Sequence, residues 1–280
     1  MAETAFQTHY RDEFIAGFEE RQSHLRGSVV NEAVVKGNSA TFLVASSGGA
    51  TAVTRGVNGL IPARADSLTQ TSATIAEWHD LCKKTGFNVF ASQGDQIRIM
   101  QKETMGVMNR KIDSDIIAQL DATTVQVSAT AATASIDMVA HAQTILGVNE
   151  VPIEEEDSMF AMISPSFRAY LIQTSEFSSG DYVDVKPFVG PAKRYWRWMG
   201  INWITHPNVT GVGTSSEKCY MYHKTSLGHA VDKSGVKSLV GYDEEQDYSW
   251  ARCSVNMGSK LLQTSGVVQM LHDGSGYAAA

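Results

Sequence analysis

The sequence predicts a mixed α+β fold, and three stretches carry that prediction. Residues 92–121 hold a long helical pattern, residues 45–76 run almost free of charge, and from Ser158 onward short strands alternate with short helices. These describe a helix lying along something flat, a compact second unit, and an extension that has no core of its own.

The helix comes first because the rest is arranged around it. Apolar side chains at Ile97, Met100, Met108, Ile112, Ile116 and Leu120, with Thr104 filling the series, step by three and four residues and so share one face. Asp95 stands at the start, where a carboxylate accepts orphan backbone N–H groups and opposes the helix dipole. No proline interrupts the pattern. From Asp95 to Leu120 the helix would reach about 39 Å at 1.5 Å per residue, the width of a small domain.

Composition bounds the rest. The chain has 280 residues, 43% of them hydrophobic, which is enough to bury a real core. A net charge of −7 argues against general affinity for nucleic acid, which is driven by lysine and arginine displacing counterions. Cys82, Cys219 and Cys253 are scattered, with no CxxC pair, and are expected to be reduced thiols in a cytoplasmic setting. The charged start, MAETAFQTHYRDEF, does not resemble a signal peptide, and no apolar run approaches the length of a membrane span.

Along the chain, residues 5–26 predict a first helix with Phe6, Tyr10, Phe14 and Phe18 spaced four apart, ended by Gly27. Such an aromatic stripe suits either packing on its own domain or clasping a neighbouring subunit. Residues 28–45 read as a hairpin turning at Lys36-Gly37-Asn38. The excursion from Ala45 to Ala76 carries only Arg55, Arg64 and Asp66 as charges, is rich in Ser, Thr, Gly and Ala, and holds the turn dipeptide Asn58-Gly59. A long, uncharged, strand-like segment cannot make a core alone, so it is expected to find its partner on another chain. Residues 74–88 fit strand and helix equally. A short strand at 124–127 and a helix from Ser135 to Leu146 precede the acidic run Glu154 to Asp157. Beyond it come a buried strand at 159–163, a helix started by Pro165, a heavy strand from Arg194 to Ile204, a strand at 218–222, a small helix from Thr225, and a strand–turn–strand from Trp250 to Leu271.

No catalytic constellation survives inspection. His223 and His229 are six apart, about 240° around a helix, and would not share a metal. His206 precedes a proline in a loop. The segment from Gly211 to Lys218 lacks the GKS/T ending of a phosphate loop. Asp113 and Asp115, two apart on the long helix, face different ways and cannot pair. Lys193 to Trp198, KRYWRW, mixes cations and aromatics, but in a strand Arg194 and Arg197 point to opposite faces. Asn208-Val-Thr210 matches a glycosylation acceptor with no secretory route to use it. No cofactor or metal is expected.

Four stretches, taken in order, resemble the major capsid protein of tailed bacteriophages, the Hong Kong 97 capsid fold. Arg110 to Leu120, RKIDSDIIAQL, is similar to the end of that family's spine helix, and the uncharged arm 45–76 lies upstream, where the family has its extended E-loop. Phe160 to Leu171, FAMISPSFRAYL, resembles a strand–proline–helix step of the axial (A) domain. Met199 to Ile204 followed by Cys219 to His229, CYMYHKTSLGH, is similar to the A-domain strands around a capsomer's pore.

The resemblance implies an N-terminal arm at 1–37, an E-loop with flanking strands at 38–90, a peripheral (P) domain with the spine helix at 91–129, an A domain at 130–249, P-domain return strands at 250–273 and a tail at 274–280. It implies a non-enzymatic shell subunit that assembles through hexamers and pentamers around double-stranded DNA, located in the virion capsid and assembled in the host bacterial cytoplasm. The subunit interface would include Phe6, Tyr10, Phe14, Phe18, Arg55, Asn58, Arg64 and Asp66. Partners would be further copies, a portal, a separate scaffolding protein (since Met1 leads at once into the short arm) and no membrane. Between Gly37 and Asp80 there is no lysine, so the isopeptide cross-link that some members make from the E-loop is not expected. Strength would come from noncovalent contacts or a decoration protein. Two other readings stay open: an encapsulin-like compartment around a cargo enzyme, and an enzyme with an unrecognised site.

Overall fold

The computed structural model describes residues 23–34, 37–47, 49–64, 67–91, 95–175 and 196–277. Its longest element is the helix α2, numbered in chain order among the helices, at Gln96–Leu120. Asp95 caps it by accepting the Arg98 backbone N–H at 3.0 Å. Met100, Thr104, Met108, Ile112, Ile116 and Leu120 are all buried. Ile97 is not: it is 38% exposed, a correction to the expected stripe. Gln96 takes the inward place in the first turn and accepts a hydrogen bond from Lys84 at 2.6 Å. From Gln96 to Leu120 one line of buried positions steps by four, and Gly106, Asn109, Asp113 and Ile117 are buried beside it, so the buried arc widens toward the C-terminal half of α2.

That sheet is built on the long strand β11 (Tyr248–Leu261). One edge pairs with β4 (Ala76–Thr85), in register from Tyr248↔Thr85 to Met257↔Ala76. The other edge pairs first with β10 (Lys237–Asp243) and then with β9 (Leu227–Asp232), so that Met257 faces both Ala76 and Val231. Ser249, Ala251, Cys253, Val255 and Met257 alternate as the buried, helix-facing side of β11. Against them lie Thr104, whose hydroxyl is 3.3 Å from the Cys253 thiol, and Lys111, whose ammonium sits 3.7 Å from the Trp78 ring centroid. Segment 74–88, ambiguous in sequence, is thus strand β4 followed by the one-and-a-half-turn helix α1 (Gly86–Ala91). The expected hairpin at 28–45 does not form. Its first half, β1 (Val30–Val34), runs parallel to β9, and its second half, β2 (Ser39–Ser46), pairs with β3 (Ser67–Thr74) instead. Pairing to distant strands overrides the local turn signal.

A second sheet has the order β12 (Val267–His272), β8 (Glu217–His223), β5 (Met159–Ile163), β7 (Ile201–Thr205), β6 (Trp196–Trp198). All of β5 is buried, and helices α3 (Ile136–Val148) and α4 (Pro165–Gln173) contribute Val139, Leu146, Phe167 and Leu171 to the same core. Ser164 caps α4 through the Phe167 N–H, with Pro165 in its first turn. The single heavy strand expected at 194–204 is two strands around a tight turn, where Met199 and Gly200 both have positive φ (52° and 71°). The strand expected at 124–127 reduces to one bridge, Gln126↔Gln269. Strands β9 and β10 pair in the helix-bearing sheet, on long β11, whereas β12 pairs in the second sheet.

Candidate assembly surfaces

The hairpin β2–β3 carries the uncharged excursion away from the body. Its root is fixed by small residues. Ala40, Phe42, Ala73 and Ala230 form a cluster of their own, and a methyl at Gly228 would lie 2.7 Å from the Phe42 ring. At the far corner the Thr74 carbonyl rests on Gly258, where an added Cβ would come within 2.0 Å of it. Only glycine lets these backbones approach so closely.

Beyond the root, the tip at 49–64 folds on itself, among the described residues, through short turns such as Gly59 N–H to the Gly56 carbonyl at 2.8 Å. Val53, Val57, Leu60 and Ile61 are exposed there, Val57 completely. Arg55, Asn58 and Arg64 are exposed beside them. Asp66 lies outside the described residues, as do Phe6, Tyr10, Phe14 and Phe18. Four large apolar side chains in water on a surface loop forfeit roughly 1.5–3 kcal/mol each relative to burial, a cost that association would recover. An exposed apolar cluster of this kind is a candidate contact surface.

Where the described chain begins, a buried carboxylate ties it down. Asp113, on α2 and fully buried, accepts the Ser23 hydroxyl, the His24 N–H at 2.8 Å and the Leu25 N–H at 3.1 Å. His206, also buried, completes the site: its Nδ1 accepts the Asn208 N–H at 3.1 Å, which leaves the proton on Nε2, 3.3 Å from Asp113. Sequence reasoning set both residues aside, Asp113 as half of a failed pair and His206 as a loop histidine. The only available signal was an acid on the apolar side of the helix, between Ile112 and Ile116.

Other polar side chains, those singled out in the sequence among them, are consumed by structure. Glu217 is fully buried and accepts from Ser164, Ser166 and the Gly213 N–H (2.7 Å), so the backbone amide that a phosphate loop would offer is taken by a carboxylate. Asp121 is bonded by the Tyr220 and Thr210 hydroxyls. His223 and His229 lie on strands of different sheets, bonded to Thr225 and Ser259 respectively. Burial pushes the Cys219 thiol up to about 12, far from a reactive thiolate. Arg197 is held by Glu156 and Asp157, while Arg194 lies outside the described residues. Among the described residues no cluster of His, Cys, Asp and Glu could hold a metal ion, and no helix is long and apolar enough to cross a membrane.

The described residues thus build a long helix on a twisted sheet, a second sheet flanked by helices, and a protruding hairpin with an apolar tip. A family model described as phage capsid protein matches residues 2–274. No curated protein sequence matches. Among solved structures, a chain of Mycobacterium phage Che8 is similar with a TM-score of 0.72 at 13% identity, over 96% of this chain and 98% of that one. The capsid of cyanophage P-SCSP1u gives 0.69 at 13% identity over 96% and 93%, and the head of Helicobacter pylori bacteriophage KHP40 gives 0.68 at 10% over 97% and 95%. The chain belongs to the phage capsid protein family, with the Hong Kong 97-type fold, and is a major capsid protein. The cargo-compartment alternative is not favoured.

Proposed function

We propose that this major capsid protein builds its shell as hexamers and pentamers around double-stranded DNA, with the β2–β3 loop and the N-terminal segment reaching onto neighbouring copies. The observation that carries this reading is the exposed apolar tip at Val53, Val57, Leu60 and Ile61, which no described residue of its own chain covers. In this reading the sheet under α2 is the peripheral domain and the β12–β8–β5–β7–β6 sheet the axial domain. Residues Arg55, Asn58, Arg64 and Asp66, with the aromatic stripe Phe6, Tyr10, Phe14 and Phe18, form subunit contacts. The subunit catalyses nothing. It assembles in the host bacterial cytoplasm with a portal and a separate scaffolding protein. Lacking an E-loop lysine, it relies on noncovalent contacts summed over many copies, or on a decoration protein. An acidic chain of net charge −7 would let packaged DNA enter and leave without being gripped.

The test is assembly. Purified protein should form megadalton particles on size exclusion and closed shells in negative-stain images, and a stable monomer or dimer at high concentration would refute the reading. Deleting Gly48 to Ser67 should leave a folded, soluble subunit that cannot close shells. An unfolded subunit would mean that the loop belongs to the core, and normal shells would mean that it is no interface.

A further inference from the structure

Strand β10 is an edge without the usual protection. Among the described residues its only strand partner is β11, so its outer side presents unpaired backbone N–H and C=O groups. Natural edges are guarded by charge, and the opposite edge of the same sheet obeys that rule, since β4 carries Glu77, Asp80, Lys83 and Lys84. The centre of β10, Ser238 to Tyr242, carries none. It exposes Leu239 (48%), Val240 (45%) and Tyr242 (55%). Charges stand only at its two ends, Lys237 and Asp243, and they are of opposite sign.

From this pattern we infer that β10 pairs with β10 of a second copy, antiparallel across a two-fold axis through Val240, joining the two sheets into one. The register follows from the sequence. With Val240 opposite itself, Leu239 faces Gly241, Ser238 faces Tyr242, and Lys237 faces Asp243 at both ends. Each feature then has its complement. The two terminal charges form two opposite-charge pairs. Leu239 lies over a residue without a side chain, beside the Trp250 indole that covers Gly241 in its own subunit. At the two ends, Lys237 is half exposed, 3.5 Å from Asp232, and the half-exposed Asp243 takes the turn amides of Glu245 and Gln246 through one oxygen and a side-chain hydrogen bond with Tyr248, so the partner's Lys237 would join that set. A contact of this kind is isologous, the type a closed shell needs wherever two copies meet across a two-fold. The inference rests on the shell reading and names one of its interfaces.

Assembled wild-type particles and a Val240→Cys variant test it. Residues directly opposite in an antiparallel pair have Cα atoms about 4.5–5.5 Å apart, inside the range of about 4.4–6.8 Å that a disulfide spans. Mild oxidation of V240C particles should convert most subunits to covalent dimers on non-reducing gels, with wild type, whose cysteines are Cys82, Cys219 and Cys253, remaining monomeric. Charge swapping gives a second readout. Lys237→Asp alone should cut the yield of closed particles at least tenfold, and K237D combined with Asp243→Lys should restore it. Particles that form normally yet give no V240C dimer, together with closure unaffected by K237D, would overturn the pairing and leave the shell reading intact. Failure of the wild type to assemble would instead overturn the shell reading itself.

Discussion

Replacing Asp113 by alanine should loosen the whole N-terminal entry to the subunit. The carboxylate is fully buried and receives the Ser23 hydroxyl, two backbone N–H groups and His206. Removing it strands the His24 and Leu25 amides in the interior, at about 1–3 kcal/mol for each donor left unsatisfied. Breaking a buried charged contact by deleting one partner costs about 3–5 kcal/mol, and the two figures overlap rather than add. A loss of about 4 kcal/mol is therefore expected, a large share of the roughly 5–15 kcal/mol that holds a typical domain folded. Asp113→Asn keeps the shape and one carbonyl acceptor but turns an amide donor toward His206 Nε2, so it should cost about half as much. Urea unfolding of unassembled subunits, followed by tryptophan fluorescence, measures both, and limited proteolysis reports the locality. Cleavage between residues 20 and 30 should accelerate in D113A before the core opens. A D113A variant within about 1 kcal/mol of wild type, or one cut no faster in that segment, would refute the assignment of Asp113 as the anchor.

Three other perturbations follow from the same packing. Ile112→Asp puts an unpaired charge on the buried side of α2 at several kcal/mol and should abolish soluble expression; well-folded I112D protein would disprove the stripe. Gly258→Ala drives a methyl into the Thr74 carbonyl, so the corner between β3 and β4 must move, at about 1–3 kcal/mol; an unchanged melting temperature would contradict the close approach. His229 is buried, and desolvation, aided by Arg26 and opposed by Asp115 and Asp113, lowers its pKa from 6.5 to about 4. The unfolded chain therefore takes up this proton first, so the contribution is full above about pH 6.5 and is lost as pH falls toward 4, by roughly 3 kcal/mol in all. His229→Gln should flatten that part of the stability–pH curve, and an identical curve would remove His229 as its source.

How much of this was legible in the sequence depended on the range of the interaction. The long helix, its Asp95 cap, the Pro165 helix start and the buried strand at 159–163 are written in local periodicity and capping chemistry, and the structure has each of them. The uncharged loop was legible for the same reason, since a lack of core-forming residues is a property of the segment itself. Strand pairing was not. Val30 to Val34 looks like half of a hairpin because a turn signal follows it, yet it pairs with Gly228 to Asp232, nearly two hundred residues away. Nothing in either segment names the other. The Asp113 anchor was hidden in the same way, because its partners come from residues 23–25 and 206. Ile97 failed for a different reason: Gln96, met by Lys84, takes the inward place in the first turn, and a polar residue in that role leaves no mark in an apolar pattern.

The buried acids Asp113 and Glu217, with the half-buried Asp121, tie distant segments of the subunit's body together. Asp113, Asp121 and Glu217 are each met by hydroxyls or amides from a distant segment: Asp113 from residues 23–25, Asp121 from Thr210 and Tyr220, Glu217 from Ser164, Ser166 and Gly213. A buried carboxylate leaves little freedom, since losing any one donor exposes the desolvation cost of the charge. These sites therefore fix the joints between the first described residues, the spine helix and the second sheet more stringently than apolar contacts, which tolerate sliding. Among the described residues the β2–β3 loop has no such tie beyond its glycine-lined root, and its tip shows turn hydrogen bonds of its own. Rigidity is thus concentrated in the body of the subunit, and the proposed contacts between copies would draw on the freedom of the loop.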